Sequence, residues 1–248
     1  ILGVGTDGPE FYWDHSPRSS CYEYVAWDLV GIPEMARPLY NTWIKKHSEL
    51  PQNAWASGQW DDGNPMHEGM WQTRVTQWDA QGQTLWALTE HYLLTGDRKW
   101  ITDNYEIIKR GGDWIIRMID VEKKAIGDPN KPEYGLLIPG GNEPPIGGPH
   151  SYYNNGFALL GLKRCALAAR IAGKTDDAAK FDAAASDLKK ALDRAIKSTF
   201  VRFNDFAGTI PPSVEESKWA VERADGKGPI YVNTDFAGAL IWPCEALE

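Results

Sequence analysis

Three times the chain sets a glycine-led turn between two stretches of helical character: Leu29-Val30-Gly31-Ile32-Pro33-Glu34, Leu94-Thr95-Gly96-Asp97-Arg98-Lys99 and Ile171-Ala172-Gly173-Lys174-Thr175-Asp176. The glycines stand 65 and then 77 residues apart, and long segments rich in Gly, Pro, Trp and Asn join one hairpin to the next. A helical hairpin cannot bury its apolar faces alone, so hairpins repeated at this period predict a toroid or solenoid of paired helices. In a toroid the long connections gather at one end and wall a pocket, which makes the loops the place to look for function.

With 248 residues, 42% of them hydrophobic, the chain can bury a full core, and residues 1–248 read as one domain. Net charge is −8 and the 26 basic residues are scattered, which speaks against nucleic acid as a partner. No segment approaches the roughly 18 continuous apolar residues of a membrane span, and no charged-then-apolar leader opens the chain. The chain starts Ile-Leu-Gly without Met and stops at Ala246-Leu247-Glu248 in the first turn of a helix, so it reads as a piece of a longer protein, and its compartment stays open. Cys21, Cys165 and Cys244 lie in apolar helical contexts and read as buried thiols.

The periodicity predicts helices over Pro17–Val30, with Tyr22, Val25 and Leu29 on one face, and over Pro33–His47, with Ala36, Tyr40 and Trp43 on one face. The second hairpin pairs Asp79–Leu94 with Asp97–Asp120, whose stripe is Ile101, Tyr105, Ile108, Gly112, Ile115 and Ile119. In the third, Tyr152–Ala172 is apolar around much of its circumference, whereas Asp176–Ser198 shows only the stripe Phe181, Ala185, Leu188, Leu192 and Ala195. An all-round apolar helix paired with a one-sided amphipath is what a double ring demands, inner against outer. A short strand is expected at Gln72–Thr76 and a seventh helix from Asn233.

Three loop segments could carry chemistry. The first is Gly140-Gly141-Asn142-Glu143-Pro144-Pro145, followed by His150-Ser151-Tyr152-Tyr153 at the head of a buried helix. A carboxyl held under aromatic walls has its charged form disfavoured, so Glu143 is suited to general-acid work near neutral pH, or else it is a solvated loop acid. The second is Tyr12-Trp13-Asp14-His15-Ser16-Pro17-Arg18. Asp14 and Arg18 can grip sugar hydroxyls while Trp13 stacks, or they can pair across a helix start. The third is Gln77-Trp78-Asp79-Ala80-Gln81-Gly82, where Asp79 is a helix cap or a ligand to a polyol. Ten of the 12 Trp precede residue 115, and Trp13, Trp55, Trp60, Trp71 and Trp78 fall in connecting segments. That clustering favours an aromatic-walled pocket for sugar rings.

The hairpin repeat and these three segments together resemble the six-hairpin (α/α)6-barrel glycoside hydrolases, with the closest motif likeness to glucoamylase-type enzymes. The matching pieces are Tyr12-Trp13 to Arg18, Gln77-Trp78-Asp79-Ala80-Gln81-Gly82, and Glu143 followed by His150-Ser151-Tyr152. The resemblance implies an all-α toroid, here half to two thirds of the barrel. It implies a glycosidase acting on an oligosaccharide or glycoside, with Glu143 as general acid. It puts Trp13, Asp14, Arg18, Trp78, Asp79, His150 and Tyr152 around a carbohydrate. Where the pattern has Asp directly after Arg, this chain has Ser19, which keeps open six-hairpin enzymes of other sugars, rhamnosidase-like or trehalase-like.

Inverting hydrolysis needs a second carboxylate about 6.5–9.5 Å from the first. The resemblance draws it from later hairpins, and Glu215-Glu216 reads as a solvated pair. His47, His67 and His91 lack metal-ligand spacing, Asp61-Asp62-Gly63-Asn64 reads as a turn, and no glycine-rich phosphate loop follows a strand, so neither metal nor cofactor is expected. The competing functions are a glycoside phosphorylase, a non-catalytic carbohydrate-binding relative, and a helical-toroid interaction protein.

Overall fold

Each of the three turn glycines holds a left-handed backbone, with φ of +81° at Gly31, +70° at Gly96 and +73° at Gly173. Only glycine adopts this without cost, which is why each hairpin turns where it does. The computed structural model describes residues 17–49, 58–71, 77–140, 149–202, 208–211, 213–215 and 239–247. Its elements are α1 (Pro17–Leu29), α2 (Pro33–Trp43), a 3-10 turn (His47–Glu49), α3 (Asp79–Thr95), α4 (Arg98–Asp103), α5 (Tyr105–Ile126), α6 (Tyr152–Ile171) and α7 (Thr175–Thr199). A two-residue antiparallel pair follows, β1 (Val201–Arg202) with β2 (Gly208–Thr209).

The architecture is all-α, a partial toroid in which α1, α3 and α6 form the inner layer and α2, α4–α5 and α7 the outer. Helix α3 packs between α1 and α6. It is buried at every position from Asp79 to Thr89, as α6 is from Tyr152 to Leu162, whereas α5 and α7 bury one face each, the expected stripes widened by Gly111, Trp114, Met118 and Glu122 on α5 and by Ala178, Ala191 and Thr199 on α7. The two inner helices touch backbone to backbone. A Cβ on Gly82 would lie 1.9 Å from the Phe157 carbonyl oxygen, and Gly161 stands over the Gly82 Cα.

The structure departs from the periodicity in three places. The expected helix over Asp97–Asp120 breaks at Asn104, whose side chain donates to the Trp100 carbonyl, and then runs on to a stop at Gly127, φ +66°. On α1 the buried face is Cys21, Tyr24, Val25 and Asp28; Leu29 is exposed, and Tyr22 is exposed on one side while its ring packs on Trp86 of α3, because apolar character alone does not say which face is covered. Of the helix expected from Asn233, residues 233–238 lie outside the described residues and 239–241 are helical. The β1–β2 pair was not foreseen, and the strand expected at Gln72–Thr76 lies outside the described residues.

At the turn end of the inner layer a polar network is sealed between the first two hairpins. Asp28 accepts from the Tyr40 hydroxyl (3.1 Å) and from His91 Nδ1 (2.8 Å), and His91 Nε2 accepts from Arg37 Nε (3.2 Å). Because a guanidinium can only donate, His91 carries its proton on Nδ1. Asp28→Ala would strand the fully buried Tyr40 hydroxyl and His91 N–H without their acceptor, and is expected to cost about 3 kcal/mol in a urea titration. A loss below about 1 kcal/mol would mean the network contributes little.

The three cysteines are buried free thiols, as expected, and burial pushes the Cys165 thiol well up. No helix among the described residues is long and apolar enough to cross a membrane.

Candidate functional site

The inner helices begin at one end of the toroid, and their first turns converge. Arg18 at the start of α1 places Nε 3.1 Å from Oδ2 of Asp79 at the start of α3. The Asp79 side chain is fully buried and that of Arg18 nearly so. Asp79 N–H donates to Oδ1 of Asn154 on α6 (3.2 Å), and Asn154 Nδ2 donates to the Gly140 carbonyl (2.8 Å). Trp78 Nε1 donates to the Pro139 carbonyl (3.0 Å), and its ring lies 5.5 Å from that of Trp114. One turn deeper on α3, Gln83 donates to the Tyr153 hydroxyl (3.1 Å). A buried carboxylate facing a guanidinium at helix N-termini, where backbone N–H groups and dipoles favour negative charge, makes a polar floor where the inner helices begin.

Asp79 is thus the first residue of α3 and not its cap, since Trp78 holds the cap position and no side chain caps the helix; the Asp79 carboxylate instead pairs with Arg18. His150 and Tyr152 stand behind this floor. Tyr152, 1% exposed, bonds its hydroxyl to Thr199. His150, 6% exposed, sits between two carboxylates: Nδ1 is 2.6 Å from Glu215 Oε1, and Nε2 is 3.0 Å from Glu122 Oε1. Burial alone would push the imidazole's pKa down. The hydrogen bond and charge of Glu215, then those of Glu122, outweigh it and hold the pKa above its ordinary value. Burial likewise tends to raise the Glu215 carboxyl, but its bond to His150 lowers it overall. Glu215 is thus exposed, as expected of a loop acid, but is bonded to His150, and Glu216 lies outside the described residues.

Trp13, Asp14 and Glu143 lie outside the described residues, as does Trp55. The aromatic-wall expectation is corrected for two of the loop tryptophans. Trp71 is core, donating to the Trp43 carbonyl (2.8 Å) and packing on Gly111 of α5. Trp60 belongs to a loop over α5, its carbonyl accepting from Arg110 and its ring packing on His67. Gln81 also serves structure, bonding the Trp71 N–H and the Gly69 and Gly111 carbonyls. In the turn at Asp61–Asn64, Asp61 receives Ser48 and Asp62 faces His67. The sequence reading passed over Glu122, Asn154 and Gln83. Two consecutive asparagines, Asn154-Asn155, in an otherwise apolar inner helix were the available signal, since a buried amide must find partners.

A partial toroid of helical hairpins with this polar mouth is the architecture of the six-hairpin glycosidases. The model of the bacterial alpha-L-rhamnosidase 6 hairpin glycosidase domain matches residues 33–204, and the chain belongs to that family. An uncharacterized glycosyl hydrolase of Methanocaldococcus jannaschii is 26% identical over 98 residues, which is 40% of this chain. The chain spans only 15% of that relative's length. No solved structure matches at a significant level. Among the sugars left open by Ser19, the family model lies on the rhamnosidase-like side.

Proposed function

We propose that this chain is part of a glycoside hydrolase that cleaves an oligosaccharide or glycoside by acid-assisted hydrolysis with inversion. The observation that carries the reading is the buried Arg18–Asp79 pair at the shared mouth of the inner helices, in a domain of a glycosidase family. Arg18 and Asp79 bind sugar hydroxyls, Trp78 packs against the ring, and Trp13 and Asp14, which precede α1, complete that subsite. His150 and Tyr152 act from behind.

Glu143 is the general acid on this reading, the role the resemblance implies for it. The water-activating carboxylate is drawn, as in the family resemblance, from hairpins beyond these three. A rhamnoside is the first substrate to try, because the matching family model is a rhamnosidase one.

The test is a panel of glycosides, rhamnosides included, offered to the full-length protein, with calorimetry on the corresponding sugars. Turnover of one member is expected; no turnover and no binding across the panel would sink the proposal and leave the toroid as an interaction scaffold. Arg18→Lys keeps the charge but loses the planar fork, so KM should rise about tenfold with kcat changed less. An unchanged KM would remove Arg18 from the subsite.

A further inference from the structure

We propose that His150 is a positioning residue which, doubly protonated, ties residues 213–215 and Gly140 to α5 and to the start of α6. The inference rests on the glycosidase reading for its consequence, though not for its geometry. Ionised carboxylates can only accept, so a ring nitrogen facing Glu215 at 2.6 Å and one facing Glu122 at 3.0 Å must both donate, and the ring is an imidazolium. With both nitrogens engaged and the ring buried, His150 has no donor left for a sugar. It acts through what it holds.

What it holds is a seam. The second oxygen of Glu215 accepts the His150 backbone N–H (2.9 Å), Val214 N–H reaches the His150 carbonyl (3.4 Å), and Ser151 pairs with Ser213. On the other side His150 pairs with Gly140, whose carbonyl is bonded by Asn154, which in turn receives the Asp79 N–H. One imidazolium thus ties α5, through Glu122, to residues 213–215, through Glu215. It sits where the chain enters α6. Loss of its proton would leave two carboxylates and a ring able to donate to only one of them. The charge of the cluster would go from −1 to −2, and the arm with water to turn to is Glu215, whose side chain is 47% exposed, while that of Glu122 is buried. The Tyr152 phenol of α6, which feels the charge of Glu215, is pushed up to about 12 chiefly by burial and stays neutral throughout, while Asp120, Lys123 and Lys124 stand on α5 either side of Glu122.

The sign follows from the directions of the two shifts. His150 is raised, so its contribution is complete below the ordinary imidazole value of about 6.5 and fades as pH rises through the folded value. Glu215 is lowered, so its contribution is complete above the ordinary glutamate value of about 4.3 and fades as pH falls through its folded value. The clamp is whole between these limits and releases first on the alkaline side.

The experiment compares the full-length protein with Glu215→Gln, which keeps an acceptor but removes the charge. The His150 Cε1–H resonance, assigned with His150→Asn, should titrate above about 6.5 in the parent and lower by about 1 pH unit in the variant. Exchange protection of the His150 and Val214 amides, corrected for intrinsic base catalysis, should disappear at the same midpoints. The alkaline limb of kcat/KM should move with them, which a merely structural contact would not cause. A parent midpoint at or below the ordinary value overturns the clamp. So does amide protection, or an alkaline limb, that stays put while the midpoint moves. If no glycoside is turned over at any pH, the glycosidase reading fails, and the resonance and the amides still decide the clamp.

Discussion

Gly82→Ala is expected to destabilise the fold by about 3 kcal/mol, although helix propensity alone would favour alanine by about 1 kcal/mol. Gly82 has ordinary helical backbone, so the sign is decided by space. The new methyl would sit 1.9 Å from the Phe157 carbonyl oxygen and 2.2 Å from its carbon, and neither can rotate away as a side chain would. Relief requires α3 and α6 to part, and both are buried all round. Gly161→Ala in the same contact should cost less, because it meets chiefly the flexible ends of Leu85 and Ile115. Urea midpoints measured together would reverse the assignment if the first variant proved as stable as the parent or the second proved the worse.

Glu143→Gln in the full-length protein is expected to lower kcat on glycosides with poor leaving groups by about 10²–10⁴-fold, the range of a lost general acid. Glycosides whose aglycone leaves as a stable anion need no proton and should lose much less, and sugar binding should persist. That dependence on leaving group distinguishes an acid from a residue that only shapes the pocket. Equal losses across leaving groups, or none, would take Glu143 out of the role. The pH profile should agree, since an acid that must be protonated loses rate as pH rises through its pKa. The alkaline limb then has two sources, Glu143 and the His150 clamp, and only the clamp's share moves in Glu215→Gln.

The sequence was informative wherever the physics was local. Glycine turns at 31, 96 and 173 were legible because a left-handed backbone admits few other residues. The stripes of α5 and α7 were legible because a surface helix must divide its faces, and α6 as an inner helix because it hardly divides them. Asp79 and Arg18 were legible as candidates through their place at helix starts, while their pairing across two helices was not. Reading failed where a neighbour distant in sequence chose the outcome. Leu29 matches the period of α1 but is left exposed, while Tyr22 keeps only a flank against Trp86 of α3. Trp71 reads like a pocket tryptophan, yet Gly111 leaves a space on α5 that its ring fills. Glu215 reads as a loop acid until a histidine 65 residues earlier meets it.

By itself, then, the order of residues determined the number of hairpins in this stretch, where they turn and which helices lie inside, because backbone conformation and burial pattern are written within a few turns of helix. Only the tertiary structure decided which side chains meet: Arg18 with Asp79, Asn154 with Asp79 and Gly140, His150 with Glu122 and Glu215. Those pairings join helices whose relative placement is set by the close approach at Gly82, and no local rule specifies a partner reached only through packing.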